Sequence, residues 1–180
     1  FRGGEIFDLG PQAEVHVVEL KHSIPTYGFL YQEKEKPGKF DVEAASRLKI
    51  PPGPLYGRLQ RGEPIEWEGR TICPEEVLGP PREGIAVGYA LDTEPCKGTH
   101  YLAKNSQVLI HDATYKDEDK RHARRGKHST HGEAISLALK HGVKQLILTH
   151  FSQRYLEFFQ NESRDGLEII YAYDGMRLVL

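Results

Sequence analysis

The sequence predicts an α/β fold in which helices cover a mixed β-sheet. Two observations carry this prediction: strand-like and helix-like segments alternate over residues 85–149, and strand-like pairs stand near the start and at the end of the chain. A hydrophobic content of 38% over 180 residues is enough for a globular core. The chain divides into three regions, residues 1–33, 34–84 and 85–180.

Residues 1–33 predict two strands. Residues 14–20 and 27–31 are rich in β-branched, aromatic and aliphatic side chains, and they flank a turn that contains Pro25. The region starts at Phe1, without an initiator methionine or a signal-peptide pattern. We therefore expect the chain to begin inside a longer polypeptide.

Residues 34–84 differ from their surroundings because they hold most of the prolines, including three between positions 51 and 54. Each proline fixes φ and removes a backbone donor, so we expect no regular sheet here. One short helix is predicted near residues 42–49. We interpret the region as an extended arm that protrudes from the domain.

Residues 85–180 return to alternating strands and helices. Ser129, four residues before Glu133, indicates a helix start, and Gly142 indicates its end. The dipeptide Asp174-Gly175 predicts a closing hairpin. The predicted strands are 85–92, 107–113, 144–149, 167–173 and 176–180, and the predicted helices are 98–105 and 129–141.

Bulk properties exclude several classes of protein. No apolar run approaches the roughly 20 residues of a membrane span. Two cysteines, Cys73 and Cys96, are too few for a zinc ribbon and indicate no disulfide framework, so a reducing cytoplasm is the expected location. A net charge of −2 argues against a uniformly basic surface, and any RNA contact must come from local clusters.

Three metal-ligand candidates stand at or just beyond predicted strand ends: His22, Asp92 and His150. Rigid strands aim several side chains at one point, two imidazoles and a carboxylate suit zinc, and a carboxylate can bridge two ions. The alternative is that each histidine is a hydrogen-bonded structural residue and that Asp92 is a turn or cap residue. Spacing alone leaves both interpretations open.

Asp112 ends a predicted strand and His128 opens a predicted helix, so the two side chains could meet over one face of the sheet. A carboxylate beside an imidazole raises the affinity of the imidazole for a proton and fixes the tautomer of the ring. Such an imidazole suits the role of general acid for a leaving alkoxide. Otherwise Asp112 caps a loop and His128 is an exposed residue. Arg124, Arg125 and Lys127 form a basic cluster that suits phosphate, although such a run is commonly a solvated helix face.

An ordered set of short motifs covers nearly the whole chain and resembles the ribonuclease Z family of the metallo-β-lactamase superfamily. Any one motif is weak evidence, and the order gives the set its weight. The motifs are His22-Ser-Ile-Pro-Thr-Tyr-Gly28, Pro37-Gly-Lys-Phe40, Ile50-Pro-Pro-Gly-Pro54, Leu78-Gly-Pro-Pro81, Asp92-Thr93, Leu109-Ile-His-Asp-Ala-Thr-Tyr115, His128-Ser-Thr130 and Leu146-Ile-Leu-Thr-His-Phe-Ser-Gln-Arg-Tyr155.

The resemblance implies the C-terminal portion of a metallo-β-lactamase-type αββα sandwich with a protruding Pro-rich arm. It implies that His22 binds a first zinc ion, that Asp92 bridges two ions, and that His150 binds the second. Asp112 and His128 match the pair that protonates the leaving 3′ oxygen in that family.

The family's arm is an exosite that grips the elbow of transfer RNA, which implies the same role for residues 34–84. Ser152 and Arg154, just after His150, are hypothesised to contact the scissile or an adjacent phosphate; packing and capping after the strand is an equal alternative. The expected RNA-binding residues of the arm are Lys39, Pro51, Pro52, Gly53 and Pro54.

The sequence also departs from the family pattern. No His-x-His-x-Asp-His string, which supplies four of seven zinc ligands in the family, occurs here. Leu91 stands where a glycine is usual, Asp112 is one methylene shorter than the usual glutamate, and His131 replaces a small or polar residue. Three ligands cannot hold two zinc ions in closed geometry, so we expect the isolated chain to be inactive.

Together the resemblance implies a zinc-dependent endoribonuclease, with two zinc ions per complete site, that cuts precursor tRNA after the discriminator nucleotide and leaves a 3′ hydroxyl. Family members usually dimerise, so we expect a cytoplasmic homodimer with no membrane partner. Two alternatives stay open. One is a non-catalytic tRNA-binding half; the other is a different metallo-β-lactamase-fold hydrolase, whose small substrate would give no use for the arm.

Overall fold

The computed structural model describes residues 1–156 and 159–179. It divides into a larger unit of residues 1–33 and 85–180 and a smaller unit of residues 34–84. In chain order the strands are β1 (Ile6–Asp8), β2 (Ala13–Leu20), β3 (Thr26–Glu33), β4 (Ile65–Trp67), β5 (Arg70–Ile72), β6 (Ala86–Ala90), β7 (Val108–Asp112), β8 (Gln145–Thr149), β9 (Glu162–Arg164) and β10 (Leu167–Tyr171). The helices are α1 (Val42–Arg47), α2 (Pro54–Gln60), α3 (Lys97–Lys104), α4 (Lys120–Gly126) and α5 (His131–His141), with 3₁₀ turns at Pro74–Glu76 and Asp117–Asp119.

The larger unit contains one eight-stranded sheet in the order β1-β2-β3-β6-β7-β8-β10-β9. Strands β6, β7, β8 and β10 are parallel, whereas β1, β2, β3 and β6 pair antiparallel in succession. Two antiparallel steps separate β2 from β6, so β2 runs in the same direction as the parallel strands. The carboxyl ends of β2, β6, β7 and β8 therefore lie along one edge of the sheet, where ligands bind in open α/β sheets.

Helices α3 and α5 cover one face of this sheet, as the predicted mixed α/β fold requires. Val108, Ile147 and Ile170 form a second cluster apart from the main core. Strands β7 and β8 contribute apolar side chains to the main core and to this second cluster. Because both of their faces are buried, their sequences are largely hydrophobic without alternation. The fully buried leucines of the main core are Leu30, Leu102, Leu109, Leu146, Leu148 and Leu167. No helix in the described part of the chain is long and apolar enough to cross a membrane.

The start of α3 lies against the end of β2. A Cβ atom at Gly98 would sit 2.0 Å from the carbonyl oxygen of Glu19, so only glycine permits this approach. The backbone N–H of Lys21 donates to Oγ1 of Thr93 over 3.2 Å, and the N–H of Glu94 donates to the Lys21 carbonyl over 3.0 Å. These contacts tie the loop after β2 to the loop after β6.

Helix α5 begins at His131, two residues later than predicted. Thr130 is its N-cap, because its hydroxyl accepts from the N–H of Glu133 over 3.3 Å while the Glu133 carboxylate accepts from the N–H of Thr130 over 3.2 Å. This reciprocal pair has the ideal spacing of three, so the predicted start at Ser129 is wrong. Gly142 ends the helix with φ of 71°, which confirms the predicted C-terminus.

The C-terminal hairpin lies one turn earlier than predicted. Strands β9 and β10 pair across Asp165-Gly166, whose φ values of 50° and 81° fit a type I′ turn. Asp174-Gly175 forms a turn, but residues 176–179 are not a strand, so that prediction is wrong for them; Leu180 lies outside the described residues. Asp165-Gly166 and Asp174-Gly175 carry the same local signal for a hairpin turn. The pairing of β10 with β8 decides which of the two turns joins paired strands.

The smaller unit has a regular hairpin, which corrects the prediction that it forms no sheet. Strands β4 and β5 pair across Glu68-Gly69, whose φ values are 46° and 78°. Helix α1 lies where predicted, and α2 starts at Pro54, where a missing N–H costs nothing. The unit's own buried core includes Ala45, Leu59, Ile65, Ile72 and Val77. Its prolines thus stand at element boundaries and do not prevent regular structure.

Candidate metal centre

The carboxyl ends of three neighbouring parallel strands supply three candidate residues. Asp112 is the last residue of β7, Asp92 lies two residues beyond β6, and His150 directly follows β8. In the sheet register, Asp112 lies opposite Thr149. Strand pairing therefore brings these side chains to the same edge of the sheet.

A fourth residue completes a compact group. One ligand-type atom from each of Asp92, Asp112, His128 and His150 lies within 4.8 Å of the others. Nε2 of His150 is 2.9 Å from Oδ1 of Asp92, so these two side chains face each other. A carboxylate and an imidazole are donors that zinc accepts, so Asp92 and His150 fit a divalent metal ion.

His22 lies beside this group, not within it. Its Nδ1 donates to the carbonyl oxygen of Lys127 over 3.1 Å, and its ring centroid is 4.9 Å from that of His128. Because Nδ1 carries the proton in this arrangement, Nε2 is the atom available to a metal ion. The structure thus brings His22 to the same edge of the sheet and places it next to His128.

Thr114 joins two of the candidate residues through one hydroxyl group. Its Oγ1 lies 2.8 Å from Oδ1 of Asp112 and 2.8 Å from Nδ1 of His150. Because an ionised carboxylate only accepts, the hydroxyl donates to Asp112 and accepts from the Nδ1–H of His150. Nδ1 of His150 is thus engaged by Thr114, and Nε2 is the ring nitrogen that faces Asp92, as in a histidine that binds a metal ion and is oriented through its other nitrogen.

Asp112 is fully buried and accepts hydrogen bonds on both oxygens. Oδ1 accepts from the N–H of Thr114 over 2.9 Å, while Oδ2 accepts from the N–H of Thr93 over 3.0 Å and from Nδ1 of His128 over 2.7 Å. Burial alone would raise the pKa of Asp112, but the bonds from His128 and Thr114 outweigh burial and lower it. The short aspartate side chain therefore reaches His128 as a fixed carboxylate.

The same contact controls the proton on His128. The hydrogen bond to Asp112 raises the pKa of His128, although partial burial acts in the opposite direction. Nδ1 is held by Asp112, and the ring lies 5.2 Å from that of His150. An imidazole with a raised pKa, oriented through Nδ1, can deliver a proton from Nε2 to an oxygen bound between these rings.

Three residues of the site have a left-handed backbone conformation. The φ values are 52° at Asp92, 56° at Lys127 and 65° at His150. Such conformations are uncommon for residues other than glycine, cost of order 1–3 kcal/mol each, and cluster at functional sites. The surrounding fold must therefore hold the conformation that aims Asp92 and His150 at each other.

Ser152 lies beside Thr114, and Arg154 lies over the ring of the next residue, Tyr115. The N–H of Ser152 donates to the Thr114 carbonyl over 3.0 Å. The guanidinium of Arg154 pairs with Asp119 over 3.0 Å and lies 5.3 Å from the ring centroid of Tyr115. Arg154 thus packs against Tyr115, with part of its charge offset by Asp119.

The basic cluster before His128 is partly used within the fold. Arg124 pairs with Glu133 over 2.6 Å, and Nζ of Lys127 donates to the His22 carbonyl over 3.2 Å. The remaining predicted RNA-binding residues lie in the smaller unit: Lys39, Pro51, Pro52, Gly53 and Pro54.

Sequence reasoning missed three residues that support Asp112. Thr114 donates its hydroxyl and its N–H to the Asp112 carboxylate, whereas Thr93 and Ser129 donate their backbone N–H groups. Each stands within two residues of a candidate ligand or acid, and that position is the signal that could have found them. Hydroxyl groups next to ligands commonly orient them.

Replacing Thr114 with valine should weaken metal binding by about 10- to 100-fold, because the change removes the hydroxyl that orients His150 and keeps the side-chain volume. Thr114→Ser keeps the hydroxyl and should bind metal nearly as the parent does. Competition with a chromophoric chelator measures both affinities. Equal affinities for the valine and serine variants would show that this hydroxyl does not orient His150.

No family model matches the chain. It is nevertheless similar to curated proteins named ribonuclease Z. The relative from Methanosarcina mazei is 41% identical over 179 residues, which cover 97% of this chain and 58% of the relative. The relative from Archaeoglobus fulgidus is 48% identical over 143 residues, which cover 79% of this chain and 47% of the relative. The chain thus spans about half the length of the curated relatives it matches.

Solved structures show the same architecture. Human tRNase Z, short form, superposes with a TM-score of 0.55 at 25% identity, covering 94% of this chain and 44% of that structure. The metallo-β-lactamase fold protein YhfI from Bacillus subtilis gives a TM-score of 0.51 at 14% identity, covering 85% and 42%. The second likeness concerns the fold alone.

Proposed function

Because this chain belongs to the ribonuclease Z family and has the metallo-β-lactamase fold, we propose that it forms part of a metal-dependent endoribonuclease that makes the 3′ end of tRNA. The observation that carries the proposal is the convergence of Asp92, Asp112, His128 and His150 within 4.8 Å at the carboxyl edge of the sheet. Metal-dependent hydrolysis of a phosphodiester uses metal ligands and a proton donor, and this group offers both.

The proposed metal is zinc, with two ions in a complete site. His22, Asp92 and His150 are the proposed ligands on this chain, and Asp92 is the one able to bridge. When bound, zinc supplies Lewis-acid activation of water and of the phosphodiester. Thr114 holds His150 through Nδ1, so Nε2 is the atom left to bind the metal ion in place of a proton.

The proposed proton donor is His128. Asp112 fixes its Nδ1–H, so the transferable proton sits on Nε2 and goes to the departing 3′ oxygen of the discriminator nucleotide. Asp112 is buried and accepts hydrogen bonds on both oxygens, so it stays ionised and stabilises the protonated imidazole. Ser152, beside Thr114, and Arg154, over the ring of Tyr115, are proposed to contact the scissile or an adjacent phosphate.

The smaller unit is proposed to bind tRNA away from the site of cleavage, through Lys39 and the segment from Pro51 to Pro54. Its separate core supports an independent binding role. Its nine lysines and arginines are balanced by nine aspartates and glutamates, so it binds through particular positions and not through net charge. By the same family relation we propose a homodimer that works in the cytoplasm on precursor tRNA.

The ligand assignment predicts incomplete metal binding by the 180-residue chain. The sequence has no His-x-His-x-Asp-His string, and His22, Asp92 and His150 alone should bind zinc weakly and below one equivalent. We call this chain joined to such a segment the complete enzyme, which should hold about two zinc ions per chain.

Elemental analysis after dialysis measures both metal contents. Asp92→Asn in the complete enzyme should lower zinc content, whereas Glu94→Gln, which alters a pair with Lys21 on the same loop, should not. Two tightly held zinc ions on the isolated 180-residue chain would overturn the assignment.

A further inference from the structure

We propose that a pocket in the larger unit binds an unpaired nucleobase of the RNA next to the phosphate that is cleaved. The pocket has a volume of about 470 Å³. This inference rests on the proposed function and adds a base-binding subsite to it. We call this cavity the aromatic pocket; its rings belong to Phe151, Tyr155, Phe159, Tyr171 and Tyr173.

The aromatic pocket begins where the metal centre ends. Phe151 directly follows His150, and Ser152, which also lines the pocket, donates its N–H to the Thr114 carbonyl over 3.0 Å. Thr114 in turn bonds to His150 and Asp112. A nucleotide with its phosphate at the centre therefore has this pocket beside it.

The rings of the pocket offer faces and edges suited to stacking. Phe159 and Tyr171 stack with centroids 5.1 Å apart and an interplanar angle of 24°, and Phe151 lies 5.1 Å from Phe159. These three rings are only partly buried, and Tyr173 at the rim is 67% exposed. Exposed aromatic rings near a bound RNA backbone are the usual platform for an unpaired base.

The rings also enclose a neutral histidine. His131 is 8% exposed, and its ring lies 4.8 Å from Phe159 and 5.7 Å from Tyr171. Burial lowers the pKa of His131, and its Nε2 has no hydrogen-bond partner within the described residues. Burial thus disfavours a positive charge on the ring behind the pocket, which suits a base and gives a phosphate no partner there.

Charged groups of both signs lie beside the pocket, and the carboxylate of Asp119 accepts from the hydroxyl of Tyr155. Nζ of Lys116 lies 5.2 Å from the ring centroid of Tyr155 and 5.6 Å from that of Phe159. A cation outside and neutral rings inside match a nucleotide, whose phosphate is charged and whose base is planar and neutral. Ser152 and Gln153 line the same cavity and can hydrogen-bond the edge of a base. An apolar segment of polypeptide would make no use of these polar groups.

The test removes the ring of Tyr173 from the protein and one base from the RNA, first singly and then together. Binding of precursor tRNA to the complete enzyme is measured by filter retention with a chelator present to prevent cleavage. Tyr173→Ala should weaken binding roughly 5- to 150-fold, the range for one lost base stack. A precursor with one abasic nucleotide beside the scissile phosphate should lose a similar factor. Because both changes remove the same contact, the combined loss should be no larger than either single loss.

Two controls make the result specific. Tyr173→Phe keeps the ring and should bind as the parent does, whereas Tyr101→Ala removes an exposed tyrosine from α3 and should change nothing. Two outcomes would overturn the proposal that the pocket binds a base. One is a combined loss of affinity that equals the product of the two single losses, and the other is no loss of affinity from either change. If the enzyme fails to bind precursor tRNA, the proposed function fails, and the same cycle with a short single-stranded RNA still decides whether the pocket holds a base.

Discussion

Replacing His128 with alanine in the complete enzyme should lower the turnover of precursor tRNA by about 10²- to 10⁴-fold, the usual contribution of a general acid. Zinc content should not change, because the proposed ligands are other residues. His22→Ala and His150→Ala should instead reduce zinc occupancy. His122→Ala serves as the matched control, since His122 lies on α4 and stacks on Tyr115.

The leaving group gives a finer check on His128. A nitrophenyl phosphodiester releases a good leaving group that needs little protonation, so the defect of His128→Ala should shrink on that substrate. Parallel assays on precursor tRNA and on the activated ester measure this difference. A variant that loses zinc, or that is equally impaired on both substrates, would show that His128 is a ligand or a structural residue.

Removing the smaller unit should separate binding of tRNA from chemistry. The N–H of Glu33 donates to the carbonyl of Ile85 over 2.9 Å, and β3 pairs with β6 up to Gln32 and Ala86. An Asn-Gly turn can therefore replace residues 34–84 and close the two strands as a hairpin. The main core clusters of the larger unit consist of its own residues, so it should stay folded.

The deletion should weaken binding of precursor tRNA by about 100-fold or more, or ~2.7 kcal/mol. Hydrolysis of the small diester should stay within about twofold, because remote binding energy acts only on the large substrate. Titration of labelled tRNA and steady-state assays of the ester measure the two quantities. Equal loss of both activities would place residues 34–84 in the catalytic core.

Much of the site was predictable because the carboxyl ends of strands can be located in a sequence. Asp92, Asp112 and His150 stand at the ends of hydrophobic runs, and parallel pairing then brings them together without further information. The contact between Asp112 and His128 was an open possibility, because His128 opens a predicted helix and could equally have been exposed; the bond from its Nδ1 to Oδ2 of Asp112 decides it. The position of His22 beside His128 was not predictable, since it depends on the antiparallel pairing of β2, β3 and β6 and on the bond from His22 to Lys127.

The errors have local causes. Asp165-Gly166 and Asp174-Gly175 carry equal turn signals, and only the pairing of β10 with β8 and β9 selects the first. Proline density concealed the hairpin across Glu68-Gly69, because a Glu-Gly turn is a weaker signal than Asn-Gly or Asp-Gly. Thr114 was missed because its role appears only when two partners from different strands meet it.

The most direct test of the proposed endonuclease activity maps the products formed when the complete enzyme is incubated with a precursor tRNA that carries a 3′ trailer. We expect one cut after the discriminator nucleotide, with a 3′ hydroxyl on the tRNA and an intact trailer. Chelation and Asp92→Ala should both abolish it. Removal of the trailer one nucleotide at a time, or a cut that survives chelation, would contradict the proposed metal-dependent endonuclease.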